Sequence, residues 1–199
     1  GGGAHGAFTW GVLDALLERG LPMAALSGAS AGAINAAVLA HGLAEGGPDG
    51  ARTALEHFWL TTAQSLPSQA TMAAPLAQAM LQWTRWFTPS QLNPFDINPL
   101  RELLRAQIDF ERLQKTAGPA LFVATTVADT GRLRLFARHE LTLDALLASA
   151  CLPTLAHSVW IDGRAHWDGA FSANPALSPL VHNTTADDLM LITLSPLKP

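Results

Sequence analysis

The sequence predicts an α/β fold in which a mixed, largely parallel sheet lies between helices in three layers. The first part of the chain alternates helical and strand patterns: apolar residues at helical spacing from Phe8 to Arg19, a short apolar strand over Met23–Ser27, and an alanine-rich helix over Ala33–Ala40. Two β-prone runs, Ala120–Val127 and Leu133–Ala137, come later. Strands that alternate with helices favour parallel pairing in one sheet, and this order of elements therefore gives the fold class.

Glycines, a proline and a cap residue set the predicted helix boundaries. Gly20 is expected to end the first helix and Gly42 the alanine-rich one, with a Gly/Pro loop following over Ala44–Gly50. Asn98 is expected to cap a helix whose first residue is Pro99.

The C-terminal third is predicted to add one helix and three short strands. The helix covers Thr142–Cys151. Asp162-Gly163 forms a two-residue turn between the strands Val159–Ile161 and Ala165–Trp167. Leu189–Leu194 is predicted to be the last buried strand.

The composition is that of one globular domain, which we expect to span residues 1–199. Hydrophobic residues make up 49% of the chain, and the net charge of −4 gives no electrostatic reason to expect nucleic acid as a partner. The one cysteine, Cys151, excludes an internal disulfide and favours a reducing compartment. We therefore expect a cytoplasmic protein, with secretion left open, because the chain begins at Gly1 inside a motif and is expected to be truncated at its N-terminus.

The serine turn, Gly28-Ala29-Ser30-Ala31-Gly32, is a G-x-S-x-G pattern between an apolar strand and a small-residue helix. In this context the sharp turn lifts the serine clear of the backbone at a helix N-terminus, where the helix dipole favours developing negative charge. Short Gly/Ala/Ser runs also occur simply as packing segments. The pattern therefore predicts Ser30 as a nucleophile only together with other parts of a site.

The glycine loop, Gly1-Gly2-Gly3-Ala4-His5-Gly6, is such a part. Backbone N–H groups of a glycine-rich loop that enters a helix can bind the oxyanion formed during acyl transfer. The same loop also fits the G-x-G-x-x-G dinucleotide fingerprint. That fingerprint expects a carboxylate after the second strand, whereas this strand runs directly into Gly28 and Ser30.

Asp168-Gly169-Ala170 supplies a carboxylate at the end of a predicted strand. A carboxylate in this position could accept the proton of Ser30 directly. Aspartates are also common in turns without any catalytic role. The order of glycine loop, serine turn and late Asp-Gly is what favours the catalytic interpretation.

A Ser–Asp–His triad would require His182, with Asp168 or Asp162 as the acid. His182 lies in a polar stretch, where a solvated surface histidine is expected. The remaining internal histidines are expected at the surface or its boundary and show no metal-ligand spacing, so no zinc site is predicted: His41, His57, His139, His157 and His166.

Together, the glycine loop, the serine turn and Asp168-Gly169-Ala170 resemble the patatin-like phospholipase family. Ala33–Ala37 and Ala148–Pro153 are similar to its bacterial branch. The resemblance implies a Ser–Asp dyad without a catalytic histidine, in which Ser30 is the nucleophile and Asp168 the base.

The resemblance also implies an oxyanion hole. Its donors would be the amides of Gly2 and Gly3, with those of Gly1 and Ala31 as lesser candidates. The position of His5 is often arginine or lysine in this family, so we assign no role to His5.

The activity that the resemblance implies is hydrolysis of carboxylic esters of lipids, of the phospholipase A or lysophospholipase kind. No metal and no organic cofactor is expected, and the expected partners are a lipid or fatty-acyl ester substrate and a peripheral membrane contact. A catalytically silent lipid-binding relative and a nucleotide-binding domain are the alternatives. The Trp/Met/Phe-rich region 72–95, with a helix predicted over about Pro75–Phe87, fits a lid, a membrane-facing surface or part of the core.

Overall fold

The computed structural model describes residues 5–65, 98–153 and 156–194, which form a five-stranded mixed sheet with helices packed against it. The predicted α/β class is confirmed. Within these ranges, one pair of strands is parallel and three pairs are antiparallel. The helix predicted over Pro75–Phe87 and the rest of region 72–95 lie outside the described residues.

The described helices begin and end largely where caps and glycines predict. They are α1 (Gly6–Glu18), α2 (Ala31–Ser65), α3 (Pro99–Gln107), α4 (Phe110–Lys115), α5 (Leu143–Ser149) and α6 (Ser178–His182). The Asn98 side chain accepts a hydrogen bond from the Arg101 amide, with Pro99 in the first turn, as predicted. Gly20 has a φ of 66°, a left-handed conformation that suits a residue just after a helix. In the part of the chain described here, no helix is long and apolar enough to cross a membrane.

The strands lie close to their predicted positions. They are β1 (Ala25–Gly28), β2 (Ala120–Val127), β3 (Leu133–Ala137), β4 (Val159–Ile161) and β5 (Arg164–Asp168). Asp162 and Gly163 have φ values of 51° and 75°, which is the pair of positive angles that a tight two-residue hairpin requires. The predicted β4–β5 hairpin is therefore confirmed.

The central strand β2 is paired along both of its edges. β3 runs antiparallel to it over Phe122–Thr126 and occupies one edge. β1 pairs in parallel with Ala120–Val123, and β5 pairs antiparallel with Thr125–Val127. Because a strand has only two edges, β1 and β5 share the other edge and lie end to end along it.

The core lies on both faces of β2. All five residues from Val123 to Val127 are buried, and successive side chains of a strand point to opposite faces. α2 packs against β1 and β2, while α5 packs against β2, β4 and β5. Buried side chains therefore occupy both faces of the central strand.

Gly42 does not end a helix, in contrast to the prediction. α2 continues past it, and its break comes at Gly46 and Gly47, whose backbone angles are not helical. A Cβ atom at Gly42 would lie 2.6 Å from both the Ala51 Cα and the Gly50 carbonyl oxygen. The glycine is therefore required where the two halves of α2 touch.

The strand predicted over Leu189–Leu194 is also wrong. This segment has no regular secondary structure. Leu189, Met190 and Leu191 are about half exposed or more, at 49%, 65% and 48%. An apolar run becomes a buried strand only where it pairs with a neighbouring strand, and this run pairs with none within the described chain.

Candidate active site

Ser30 occupies the tip of a sharp bend between β1 and α2. Its φ of 57° lies in the left-handed region, which costs a non-glycine residue about 1–3 kcal/mol. A Cβ atom at Gly28 would lie 2.6 Å from the Ala33 amide nitrogen, so only glycine fits where the chain folds back. The bend leaves Ser30 partly exposed, although Ala29 and Ala31 on either side are buried.

The backbone of Ser30 is held on both sides. Its N–H donates to two acceptors of Ser149, the carbonyl oxygen at 3.0 Å and Oγ at 3.1 Å. Its carbonyl oxygen accepts from the Ile34 amide at 3.1 Å, which begins the hydrogen bonding of α2. These contacts fix the strained bend and leave the hydroxyl at the N-terminus of a long helix.

Asp168 ends β5 and is 2% exposed. Its amide donates to the Cys151 carbonyl at 2.8 Å, and its Oδ1 accepts from the Ala170 amide at 2.8 Å. Among the described residues Oδ2 has no hydrogen-bond partner, so this oxygen is available to accept a proton. A Cβ atom at Gly169 would overlap the Ala124 carbonyl, which explains why glycine follows the aspartate.

The sheet register brings the serine turn and Asp168 together. Gly28, the last residue of β1, pairs with Val123, and Asp168 pairs with Thr125 on the same edge of β2. Only Ala124 separates these two pairings. The serine turn, which follows Gly28 directly, therefore meets the end of β5 at this point.

Ser30 Oγ and the Asp168 carboxylate share no hydrogen bond in the part of the chain that the structure describes. In structures without a substrate, hydrogen bonds between catalytic groups are often long and tighten only when the substrate is bound. The structure brings the two residues to the same point of the sheet.

Only the end of the glycine loop, His5 and Gly6, belongs to the described residues. Gly1, Gly2 and Gly3, the predicted oxyanion donors, lie outside the described residues. The described end of the loop, Gly6, lies so close to α2 that an added Cβ would be 2.7 Å from the Ala31 Cβ. The loop therefore enters its helix beside the residue that follows Ser30.

Asn35 fastens the start of α1 to the start of α2. Its Nδ2 donates to the Gly6 carbonyl at 3.1 Å and to the Ala31 carbonyl at 3.0 Å, and its Oδ1 accepts from Trp59 Nε1 at 2.9 Å. The side chain is 1% exposed. The Ala31 N–H is at the first position of α2, where an amide has no acceptor within the helix.

The residues of the alternative triad lie elsewhere. His182 is exposed at the end of α6 and lines a surface cleft with Ala24, which precedes β1 at the end opposite Ser30. Asp162 is at the tip of the β4–β5 hairpin, at the far end of β5 from Asp168. Neither residue is brought to the serine turn.

Two histidines expected at the surface or its boundary are buried instead. His41 is 5% exposed beside Glu45, and His166 is 4% exposed in β5 with its Nδ1 2.9 Å from Thr125 Oγ1. Burial lowers the pKa of His166, and the positive charges of Arg164 and Arg134 lower it further. His166 is thus expected to be neutral inside the sheet, two residues before Asp168.

Ser149 and Asn35 were not among the predicted site residues. Ser149 joins the serine turn to β2, since its Oγ also donates to the Ala124 carbonyl at 2.7 Å. Its partner Ser30 is 119 positions away in the chain. Both residues lie in stretches that resemble the family, Ala33–Ala37 and Ala148–Pro153, but that resemblance does not identify their partners.

The arrangement suits acyl transfer. It combines a hydroxyl on a strained bend, a buried carboxylate with a free oxygen, and a helix N-terminus that can receive negative charge.

Comparison with known proteins identifies the family of the chain. A search of the curated proteins found no related sequence. The sequence model of the family described as Patatin-like phospholipase matches residues 1–181, which include the glycine loop, the serine turn and Asp168. The chain therefore belongs to the patatin-like phospholipases, a family of hydrolases that act on lipid esters.

Proposed function

We propose that this protein is a serine acyl hydrolase that cleaves carboxylic esters of lipids through a dyad of Ser30 and Asp168. The observation that supports this most strongly is the pairing on β2, where β1 and β5 end on either side of Ala124. This pairing directs a strained serine and a buried carboxylate to one point of the sheet.

In the proposed reaction, Ser30 Oγ attacks the acyl carbonyl carbon while the Asp168 carboxylate accepts the hydroxyl proton. The amides of Gly2 and Gly3, with those of Gly1 and Ala31 assisting, bind the resulting oxyanion. The intermediate collapses, the ester C–O bond breaks, and Asp168 returns the proton to the leaving alcohol. Asp168 then activates a water molecule, which hydrolyses the acyl-enzyme and regenerates Ser30.

The finer part of the proposal is a phospholipase A or lysophospholipase activity in a protein of the bacterial branch. We propose a single domain over residues 1–199, a cytoplasmic location and peripheral contact with the membrane that supplies the substrate. The membership of a family that acts on lipid esters supports the substrate class.

Labelling with a fluorophosphonate probe tests the nucleophile. The wild-type protein should be labelled, and Ser30→Ala should remove the label because no other residue should react at a comparable rate. A correctly folded wild-type protein that binds lipid vesicles without being labelled would instead be a catalytically silent relative.

Ester hydrolysis by two variants tests the dyad. Asp168→Asn removes the proposed base and should lower kcat by roughly 10²–10⁴-fold. His182→Ala is the matched control and should retain most of the activity, because His182 lies at the other end of β1. The reverse pattern would show that a histidine is the base.

A further inference from the structure

Ser149 lies at the junction between the serine turn and β2. It is the last residue of α5 and is completely buried, at 0% exposure. Its hydroxyl donates to the Ala124 carbonyl at 2.7 Å and accepts from the Ser30 amide at 3.1 Å. Both hydrogen-bonding capacities of this side chain are therefore used for contacts with the site.

The Ala124 carbonyl needs a partner because it lies in the gap between β1 and β5. Ala120 donates to Ala24 and Ala128 donates to Ala165, so even-numbered residues of β2 direct their backbone groups to the shared edge. Ala124 is directed to the same edge. It lies between Val123, the last residue of β2 that pairs with β1, and Thr125, the first that pairs with β5. The Ser149 hydroxyl fills this gap in the ladder.

The segment Ser149–Cys151 holds both members of the proposed dyad by their backbones. The Ser149 carbonyl accepts from the Ser30 amide, and the Cys151 carbonyl accepts from the Asp168 amide. The Ser149 hydroxyl adds a second acceptor for Ser30 and is the only one of these contacts made by a side chain. It can therefore be removed by mutation while the backbone contacts stay in place.

We propose that Ser149 is a positioning residue that sets the orientation of Ser30 for attack. Ser30 has a left-handed φ of 57° and would relax if its amide were held less firmly. The hydroxyl of Ser149 ties this amide to Ala124, the β2 residue that lies between the pairing positions of β1 and β5. This inference rests on the proposed function, because it assumes that Ser30 is the nucleophile.

Ser149→Ala tests this role by removing the hydroxyl and keeping the Ser149 carbonyl. A misplacement of about 1 Å can cost on the order of a hundredfold in rate, so kcat for a soluble p-nitrophenyl ester should fall roughly tenfold to a hundredfold. KM should stay near the wild-type value, because Ser149 is buried and cannot touch the substrate. The rate constant of fluorophosphonate labelling at Ser30 should fall by the same factor as kcat.

Thr142→Ala is the matched control for a loss of stability in the same helix. Thr142 caps α5 at its other end, where its Oγ1 accepts from the Ala145 amide, and it has no contact with Ser30. This variant should melt at a lower temperature than the wild type, as expected for a lost helix cap, and should keep its labelling rate below its melting temperature.

Ser149→Thr tests whether the reactivity of Ser30 follows the hydroxyl of residue 149 or the stability of the protein. It keeps the hydroxyl but adds a methyl group to a fully buried site, which costs stability. We expect it to melt at a lower temperature than Ser149→Ala and yet to react faster with the fluorophosphonate.

The outcomes separate this inference from the proposed function. A wild-type protein that is never labelled would overturn both. Labelling of the wild type and of Ser149→Ala at equal rates would overturn the positioning role alone. The positioning role would also be overturned by equal losses in Ser149→Ala and Thr142→Ala, or by activities that follow the melting temperatures.

Discussion

Asn35 shows how one buried amide joins two parts of the site. Its three hydrogen bonds connect Gly6, Ala31 and Trp59, so the end of the glycine loop is held beside the beginning of α2. Gly6 begins α1, whereas Ala31 and Trp59 belong to the two halves of α2. Asn35 therefore holds the first turn of α1 against both halves of α2.

Asn35→Leu should destabilise the protein and reduce its activity. The change keeps the side-chain size but leaves the Trp59 N–H without an acceptor, and a buried unpaired group costs about 1–3 kcal/mol. It also removes the side-chain bonds to the Gly6 and Ala31 carbonyls, which keep the backbone bonds of their own helices. Urea unfolding would measure the loss, and the labelling rate of Ser30 would report the loosened loop. Asn183→Leu, at an exposed amide, should change stability by no more than about 0.5 kcal/mol. Equal effects of the two substitutions would contradict the role of Asn35.

At the residue scale, the sequence was sufficient for groups whose chemistry is local. The bend at Ser30 is such a case, because the neighbouring Gly28 allows the chain to fold back there. The role of the Ser149 hydroxyl could not be predicted from the sequence, because its partners Ser30 and Ala124 come close to it only in the folded chain.

At the scale of elements, the break in α2 allows the helix to fold back on itself. Gly42 and Gly50 meet where the two halves touch, and the Gly42 carbonyl oxygen would lie 2.5 Å from a Cβ atom at Gly50. Such close contact brings the helix backbones together without intervening side chains. A glycine that ends a helix and a glycine that allows close packing look identical in a sequence, which is why Gly42 was predicted wrongly.

Gly42→Ala should destabilise the protein, although alanine is the better helix former. The new methyl group would meet backbone atoms of Ala51 and Gly50 at 2.6 Å, and overpacking of this kind costs about 1–3 kcal/mol. Gly11→Ala is the control: it lies within α1 with open space around it and should stabilise the protein by roughly 0.5–1 kcal/mol. Urea unfolding measures whether each substitution raises or lowers the free energy of unfolding. A stabilised Gly42→Ala would refute the packing explanation.

The strands show what a sequence can establish about elements. β2 and β3 were found from β-prone composition, and the β4–β5 hairpin from a turn dipeptide, because these signals are local. The segment Leu189–Leu194 carries the same apolar signal but lacks a partner strand in the described chain. The sequence also did not predict that β1 and β5 pair with the same edge of β2, because strand register is a property of the assembled sheet.

At the scale of the whole molecule, the stability of the fold should depend on pH through His166. This residue packs against Phe136 and contacts Thr125, so its protonation would place a charge inside the sheet. Burial lowers its pKa in the folded protein, while the unfolded chain retains a value of about 6.5. As the pH falls below about 6.5, the unfolded state binds a proton here before the folded state does, and stability is lost.

Melting temperatures of the wild type and of His166→Gln between neutral and mildly acidic pH would check this dependence. The glutamine keeps a hydrogen-bonding group near Thr125 but does not titrate, so the wild-type curve should fall more steeply below about pH 6.5. Above that pH the difference between the two proteins should be constant. Parallel curves over the whole range would show that His166 does not contribute.

Because β1 and β5 lie end to end along β2, Ser30 and Asp168 meet only if both strands are correctly aligned with β2. A slip of β5 by one residue would move Asp168 about 3.4 Å along β2 and turn its carboxylate to the opposite face. No intermediate alignment brings the carboxylate partway to the serine. During refolding, hydrolysis should therefore return in step with native pairing of the sheet, and a compact but misaligned chain should be completely inert.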